Sequence, residues 1–296
     1  MGTLVDVVLY ADKEVAPEAA ARAFERMLEI EAIADPLAEG SPLYRLSKGE
    51  GAQVKGDLER ILETAMEISR ATSGAFDPTM GELVYLWGFG RDQPTLPEPE
   101  EIKDALKRTG YDKLPTGQCC PAGLEIWFDL GGVAKGYAVD EAVAFLQERG
   151  IKAGIVNAGG DLRSFGPRPG RGKWKIGVQD PNDPQALAGV LEVKEAAVAT
   201  SGDYQRYFEE GGLRYHHILD PSTGYPARTG LKGTTVIAHD CATADALATA
   251  AFVLGPVKGL ALLENRKGVE GVLITEDGKI LTTSGIGEGG IRFEER

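Results

Sequence analysis

The chain has 296 residues, 43% hydrophobic and 26% charged, with a net charge of −13. That size and balance allow one large domain or two small ones with an ordinary core. The acidic surplus argues against nucleic acid or an anionic membrane as partner.

In chain order, the β-branched run at residues 3–10 predicts a strand. Ala20, Phe24 and Leu28, spaced four apart with Met27 beside them, predict a helix over 16–33. Asp57 is expected to cap a second helix, with a stripe of Leu58, Ile61, Leu62, Ala65, Ile68 and Ala71 and its end at Gly74. A Pro/Glu-rich connection at 94–101 leads to a short helix over 102–109. A strand at 124–130 runs into Gly131-Gly132 and a helix over 134–149, and a strand at 151–156 ends in Asn157-Ala158-Gly159-Gly160. Further strands are expected near 173–178, 189–193, 215–219 and 234–239, then a helix over 243–254 and strands near 272–275 and 279–282. Strands and helices mix without regular βαβ alternation, which predicts an α+β fold. No apolar run approaches the roughly 20 residues that cross a bilayer. The first residues lack the basic start, apolar stretch and cleavage site of a secretory signal. The chain is therefore expected to be cytoplasmic, or already trimmed of a leader. Cys119, Cys120 and Cys241 form no disulfide or zinc pattern and read as small apolar side chains.

The helix over 243–254 is apolar nearly all round and should be buried. Asp245 sits inside it, and an unpartnered buried carboxylate is costly. Thr249, four residues on, projects from the same face. A carboxylate and a hydroxyl one turn apart offer two hard oxygens, which suits Mg²⁺ alongside a substrate phosphate. In the plainer alternative, Asp245 serves the first turn of its own helix, near the positive dipole end. The Gly131-Gly132 turn and the helix start after it form a candidate anion site, with Lys135 at hand; the alternative is a glycine turn between packed elements. Asn157 to Asp161 and Thr200 to Asp203 read as further polar turns. His216 and His217, adjacent on a strand, should face opposite ways, leaving one free to act as a base.

Eight segments in order resemble the ApbE family, the FAD:protein FMN transferases. They are MGT at 1–3, TSGAFDPT at 72–79, LWGFG at 86–90, DLGGVAKG at 129–136, NAGGD at 157–161, ATSGDY at 199–204, HILDPSTG at 217–224 and TADALAT at 243–249. The resemblance implies a single α+β flavin-transferase domain over 1–296, with mixed sheets and helices around an FAD cleft. It implies Mg²⁺ held by Asp245, Thr249 and a backbone oxygen of Ala134, and FAD contacts from Met1, Ala75, Phe76, Asp77, Gly131, Tyr137 and His217. His217 and Asp245 are the expected catalytic residues; Lys135 is given no catalytic duty. The implied reaction moves FMN from FAD onto a threonine or serine hydroxyl of an acceptor protein and releases AMP. Alternatives are an Mg²⁺-dependent FAD pyrophosphatase giving FMN and AMP, and a module that binds FAD without catalysis. Family members are often exported, many as lipoproteins, which would place the chain outside the cytoplasm or on a membrane anchor.

Overall fold

The structure, a computed structural model, describes residues 2–50, 54–89, 94–114, 125–287 and 290–296. Met1, Gly90, Cys119, Cys120 and Leu124 lie outside these described residues. Chain order runs β1 (Val5–Leu9), α1 (Ala16–Ala34), α2 (Pro42–Ser47), α3 (Asp57–Ala71), α4 (Gly81–Trp87) and α5 (Pro99–Arg108), then a 3-10 turn at Tyr111–Lys113. There follow α6 (Ala134–Glu148), β2 (Gly154–Ala158), β3 (Asp161–Phe165), β4 (Trp174–Asp180), β5 (Asp183–Val193), β6 (Ala196–Gly202), β7 (Tyr207–Glu210) and β8 (Leu213–His216). The chain closes with β9 (Leu231–Ala238), α7 (Cys241–Glu264), β10 (Glu270–Thr275), β11 (Ile280–Thr282) and β12 (Arg292–Glu295).

The α+β expectation holds. A seven-stranded sheet in the order β1-β2-β3-β6-β9-β10-β11 is antiparallel at every pairing. Alternation along the central strands sends their side chains to two cores. On one face, Val156, Ala197, Ala199 and Val236 meet α6 and α7. On the other, Leu162, Val198, Ile237 and Val272 meet Trp174, Ile176, Leu191 and Val193 of the small β12-β5-β4 sheet. A third cluster joins Leu83 and Trp87 of α4 to Ile102 and Ala105 of α5, with Phe208 and Tyr215 of the β7–β8 hairpin packed against it.

At the centre lies α7. Its alanines, and Ala197 and Ala199 beneath it on β6, keep both surfaces thin, so helix and strand approach closely. The helix breaks at Gly255 (φ 77°) before Pro256. Proline has no N–H for the carbonyl four residues back. That carbonyl, on Phe252, instead accepts a 2.8 Å hydrogen bond from Thr229 Oγ1. The expectation that no apolar run reaches bilayer length needs correcting, because beyond the break the helix resumes. By length and composition alone α7 would cross a membrane. In this fold it is the core helix, laid on β6, β9 and β10 between α3 and α6.

Other expectations shift as well. The buried face of α1 is Ala19, Ala23, Met27 and Ile30, and Leu28 is exposed. Asp57 does not cap α3; the N-cap is Gly56, at φ 67°. The Asp57 carboxylate instead accepts from Arg26 Nη2 at 2.6 Å and from Tyr137 Oη at 2.9 Å, so a tertiary ion pair outcompetes the local cap. The expected strand at 124–130 joins no sheet over its described part. Gly81 N–H donates to Trp127 O and Asp129 N–H to Pro78 O, fastening the segment to a loop. The expected turn from Thr200 belongs to β6 up to Gly202.

Candidate active site

The N-terminus of α7 is closed by two carboxylates from different parts of the chain. Asp240, the N-cap, accepts from Thr243 N–H at 2.8 Å. Asp140, reaching over from α6, accepts from Cys241 N–H at 2.8 Å and Ala242 N–H at 3.0 Å. The first-turn donors are thus occupied, and Asp245 does not serve them. Arg163 of β3 donates to Asp140 at 2.7 Å. Asp140→Ala would leave two helix-end donors and Arg163 without their acceptor. It should cost about 2–3 kcal/mol, read as a lower urea midpoint with an unchanged m-value.

Freed from its own helix, Asp245 turns to α6. Its Oδ2 accepts from Gly136 N–H at 3.3 Å and lies 3.6 Å from Lys135 Nζ. Lys135 also forms a close ion pair with Asp161, at the start of β3. Burial pushes the Asp245 carboxyl above the usual carboxylate range, with Lys135 pulling the other way. One turn along, Thr249 Oγ1 stands 3.1 Å from Ser201 Oγ of β6. The Gly131-Gly132 turn closes over this face. A Cβ on Gly132 would come within 3.2 Å of Thr249 Oγ1 and 3.1 Å of the Phe76 ring. Asp129 holds the turn by accepting from Gly131 N–H at 2.9 Å. Burial raises the Asp129 pKa, and Asp245 adds to the effect.

The two histidines face apart as expected. His216 is buried, its Nε2 2.9 Å from Ala227 O and its ring edge-on to Phe252. His217 turns to the site, its Nδ1 3.3 Å from Arg206 O and its ring edge-on to Phe89. Burial, with help from Arg206 and His216, pushes the His217 pKa down to about 3. His216 is also depressed by burial. A depressed folded pKa gives stability that is present above the unfolded value near 6.5 and is lost as pH falls through the folded one. Below pH ~6.5 the wild type should therefore lose up to about 1.4 kcal/mol per pH unit for His216. Denaturant titrations at neutral and acid pH should show a flatter dependence in His216→Gln; equal slopes would refute this.

The family model described as the ApbE family matches residues 1–273. The chain belongs to the ApbE family. An FAD:protein FMN transferase of Treponema pallidum (strain Nichols) is 34% identical over 97% of this chain and 85% of its own. The crystal structure of the ApbE protein from Thermotoga maritima is 38% identical and has a TM-score of 0.87, covering 96% of this chain and 94% of its own. The flavin transferase ApbE from Vibrio cholerae, 30% identical, has a TM-score of 0.84 with the same coverage.

Of the residues that the ApbE resemblance marks, Asp245 and Thr249 share one spot, with Ala134 opening α6 beside Gly136, which donates to Asp245; it is Gly132 that lies against Thr249, while Gly131 lies against Asp129. Phe76 lies against Gly132, and His217 is close enough to feel the Lys135 and Arg206 charges. Ala75 is buried beside Phe76. Asp77 engages both carboxylate oxygens internally, accepting from Thr79 N–H and Oγ1 and from Tyr111 N–H. Tyr137 points to Asp57 and lines a separate cleft of about 550 Å³ with Arg60, Arg70, Asp140 and Arg163. Met1 lies outside the described residues. Sequence reasoning missed Asp140, and it placed Asp161 and Ser201 in polar turns without giving their side chains a role. Their partners are 101, 26 and 48 residues away, so no local spacing announces them.

The donor set fits a hard divalent cation. Two buried carboxyl groups, Asp161 and Asp245, share one ammonium beside the Thr249 and Ser201 hydroxyls, a set of hard oxygens. Among the described residues no three His, Cys, Asp or Glu side chains gather into a metal cluster. An ion here would need hydroxyl and backbone oxygens beside Asp245, and Mg²⁺ accepts those together with substrate phosphate.

Proposed function

We propose that this chain transfers the FMN half of FAD to a threonine or serine hydroxyl of an acceptor protein, releasing AMP, with Mg²⁺ at the pyrophosphate. The observation that carries the reading is the buried Asp245, held off its own helix end and paired one turn along with Thr249, facing a Gly-Gly turn at a helix start. The printed names of the relatives support the flavin and the transfer.

Asp245, Thr249 and the Ala134 carbonyl would hold Mg²⁺, which supplies positive charge beside the pyrophosphate in an otherwise acidic protein. Gly131 N–H is taken by Asp129, so the Gly132 amide and the positive end of α6 would face the same phosphates. Ala75, Phe76, Asp77, Tyr137 and Met1 are the further candidate FAD contacts. The acceptor hydroxyl oxygen attacks the FMN phosphorus, the P–O bond to the AMP phosphate breaks, and AMP leaves. His217 is neutral at pH 7, and the negative pyrophosphate raises its affinity for the hydroxyl proton.

The test is incubation with FAD, Mg²⁺ and an acceptor presenting an exposed threonine, followed by mass spectrometry of the acceptor. The expected product carries one FMN, with one AMP released. Free FMN and AMP with a bare acceptor would make the chain a pyrophosphatase. Intact FAD would make it a binding module.

A further inference from the structure

The half-buried Lys135 has no place in the mechanism above, yet it occupies the middle of the site. Its ammonium bridges two elements, in close ion contact with Asp161 of β3 and 3.6 Å from Asp245 of α7. The two ends differ. Asp161 is fixed, being almost fully buried and accepting from Thr200 N–H at 3.3 Å through its other oxygen. The Asp245 end is looser, and the Lys135 side chain keeps 24% of its surface exposed. A cation tethered at one end to a rigid acid and resting loosely on a metal-ligand candidate can stand in for the metal and then yield to it.

We infer that Lys135 is a positioning residue. Tethered by Asp161, it neutralises Asp245 while the metal is absent and competes with the metal for that carboxylate. The inference rests on the metal reading of Asp245. Removing the lysine leaves Asp245 uncompensated, so the metal gains the full attraction and binds more tightly. Removing the tether frees the ammonium to settle wholly on Asp245, so the metal binds more weakly. Opposite shifts from the two ends of one ion pair would not come from a role limited to structure.

The test titrates Mn²⁺ into flavin-free, chelator-stripped wild type, Lys135→Met and Asp161→Asn, read by calorimetry and by the metal-linked rise in melting temperature. Lys135→Met should bind about tenfold more tightly than wild type and Asp161→Asn about tenfold more weakly. The metal-free Lys135→Met protein should also melt below wild type. Affinities within about twofold of one another, shifts of one sign, or no metal-linked signal in any of the three would overturn the inference. If Lys135 holds the flavin phosphates directly instead, metal-only affinity will not move and FAD affinity alone will fall, which also overturns it. Should Lys135→Met not fold, Asp161→Asn decides alone: weaker binding supports the inference, and unchanged or tighter binding sinks it. Failure of wild type to label an acceptor would remove the transferase reading while leaving these opposite shifts intact.

Discussion

Asp245→Asn is expected to lower Mg²⁺-dependent AMP release from FAD by about a thousandfold while leaving the fold intact. Asparagine keeps the size of the side chain and an oxygen to accept from Gly136 N–H. What disappears is the charge, and with it the strongest of the hard oxygens proposed to hold the cation. The structural cost should be small because burial already works against ionisation at this position, and Lys135 keeps its partner Asp161. Melting temperature without metal should therefore stay close to wild type, while the stabilisation that Mg²⁺ and FAD give to wild type should vanish. Turnover near the wild-type rate would take Asp245 out of the ligand set.

The second large effect is expected at Gly136, where α6 and α7 touch backbone to backbone. A Cβ there would lie 2.3 Å from the Cys241 carbonyl oxygen and 2.7 Å from Ala242 N. Neither atom belongs to a flexible side chain, so Gly136→Ala must push the helices apart. The cost should be about 3 kcal/mol. The same shift would pull Gly136 N–H from Asp245 and Asp140 from the end of α7. A misplacement of about 1 Å at such a site can cost on the order of a hundredfold in rate. Denaturant midpoints and AMP release, measured where the variant remains folded, give both numbers. Gly150→Ala is the control: φ there is +80° with nothing within 4 Å, so about 1 kcal/mol and no loss of rate are expected.

Much of this molecule could be read from residue spacing, and the omissions share a cause. Helix α3 declared itself through its apolar stripe, α6 through the Gly131-Gly132 turn that opens it and α7 through being apolar nearly all round, and Asp245 with Thr249 through a four-residue interval inside that apolar helix. Strand β6 did not, because the residues that fit beneath a close-lying helix are Ala197 and Ala199 rather than β-branched ones, and its end reads as a polar turn. Asp57 was misread because its competing partners, Arg26 and Tyr137, come from other helices. The extended run before Gly131 carries strand-like residues, yet its hydrogen bonds go to the loop at Pro78 and Gly81. Local pattern predicts an element when the element's own backbone satisfies it. It fails where a distant group supplies the partner, as Asp161 and Ser201 do in the site itself.

The carboxylate that α6 lends to the end of α7 has a geometric consequence. It acts as an index stop, fixing axial position and rotation together, since only one register places Cys241 N–H and Ala242 N–H on Asp140. A slip of one residue would move the helix by about 1.5 Å and turn it by roughly 100°. Asp245 would then swing out of the gap beside Lys135, and Thr249 would lose Ser201. The alignment of the two oxygens is thus set more than one helical turn away from them, like the zero mark of a dial.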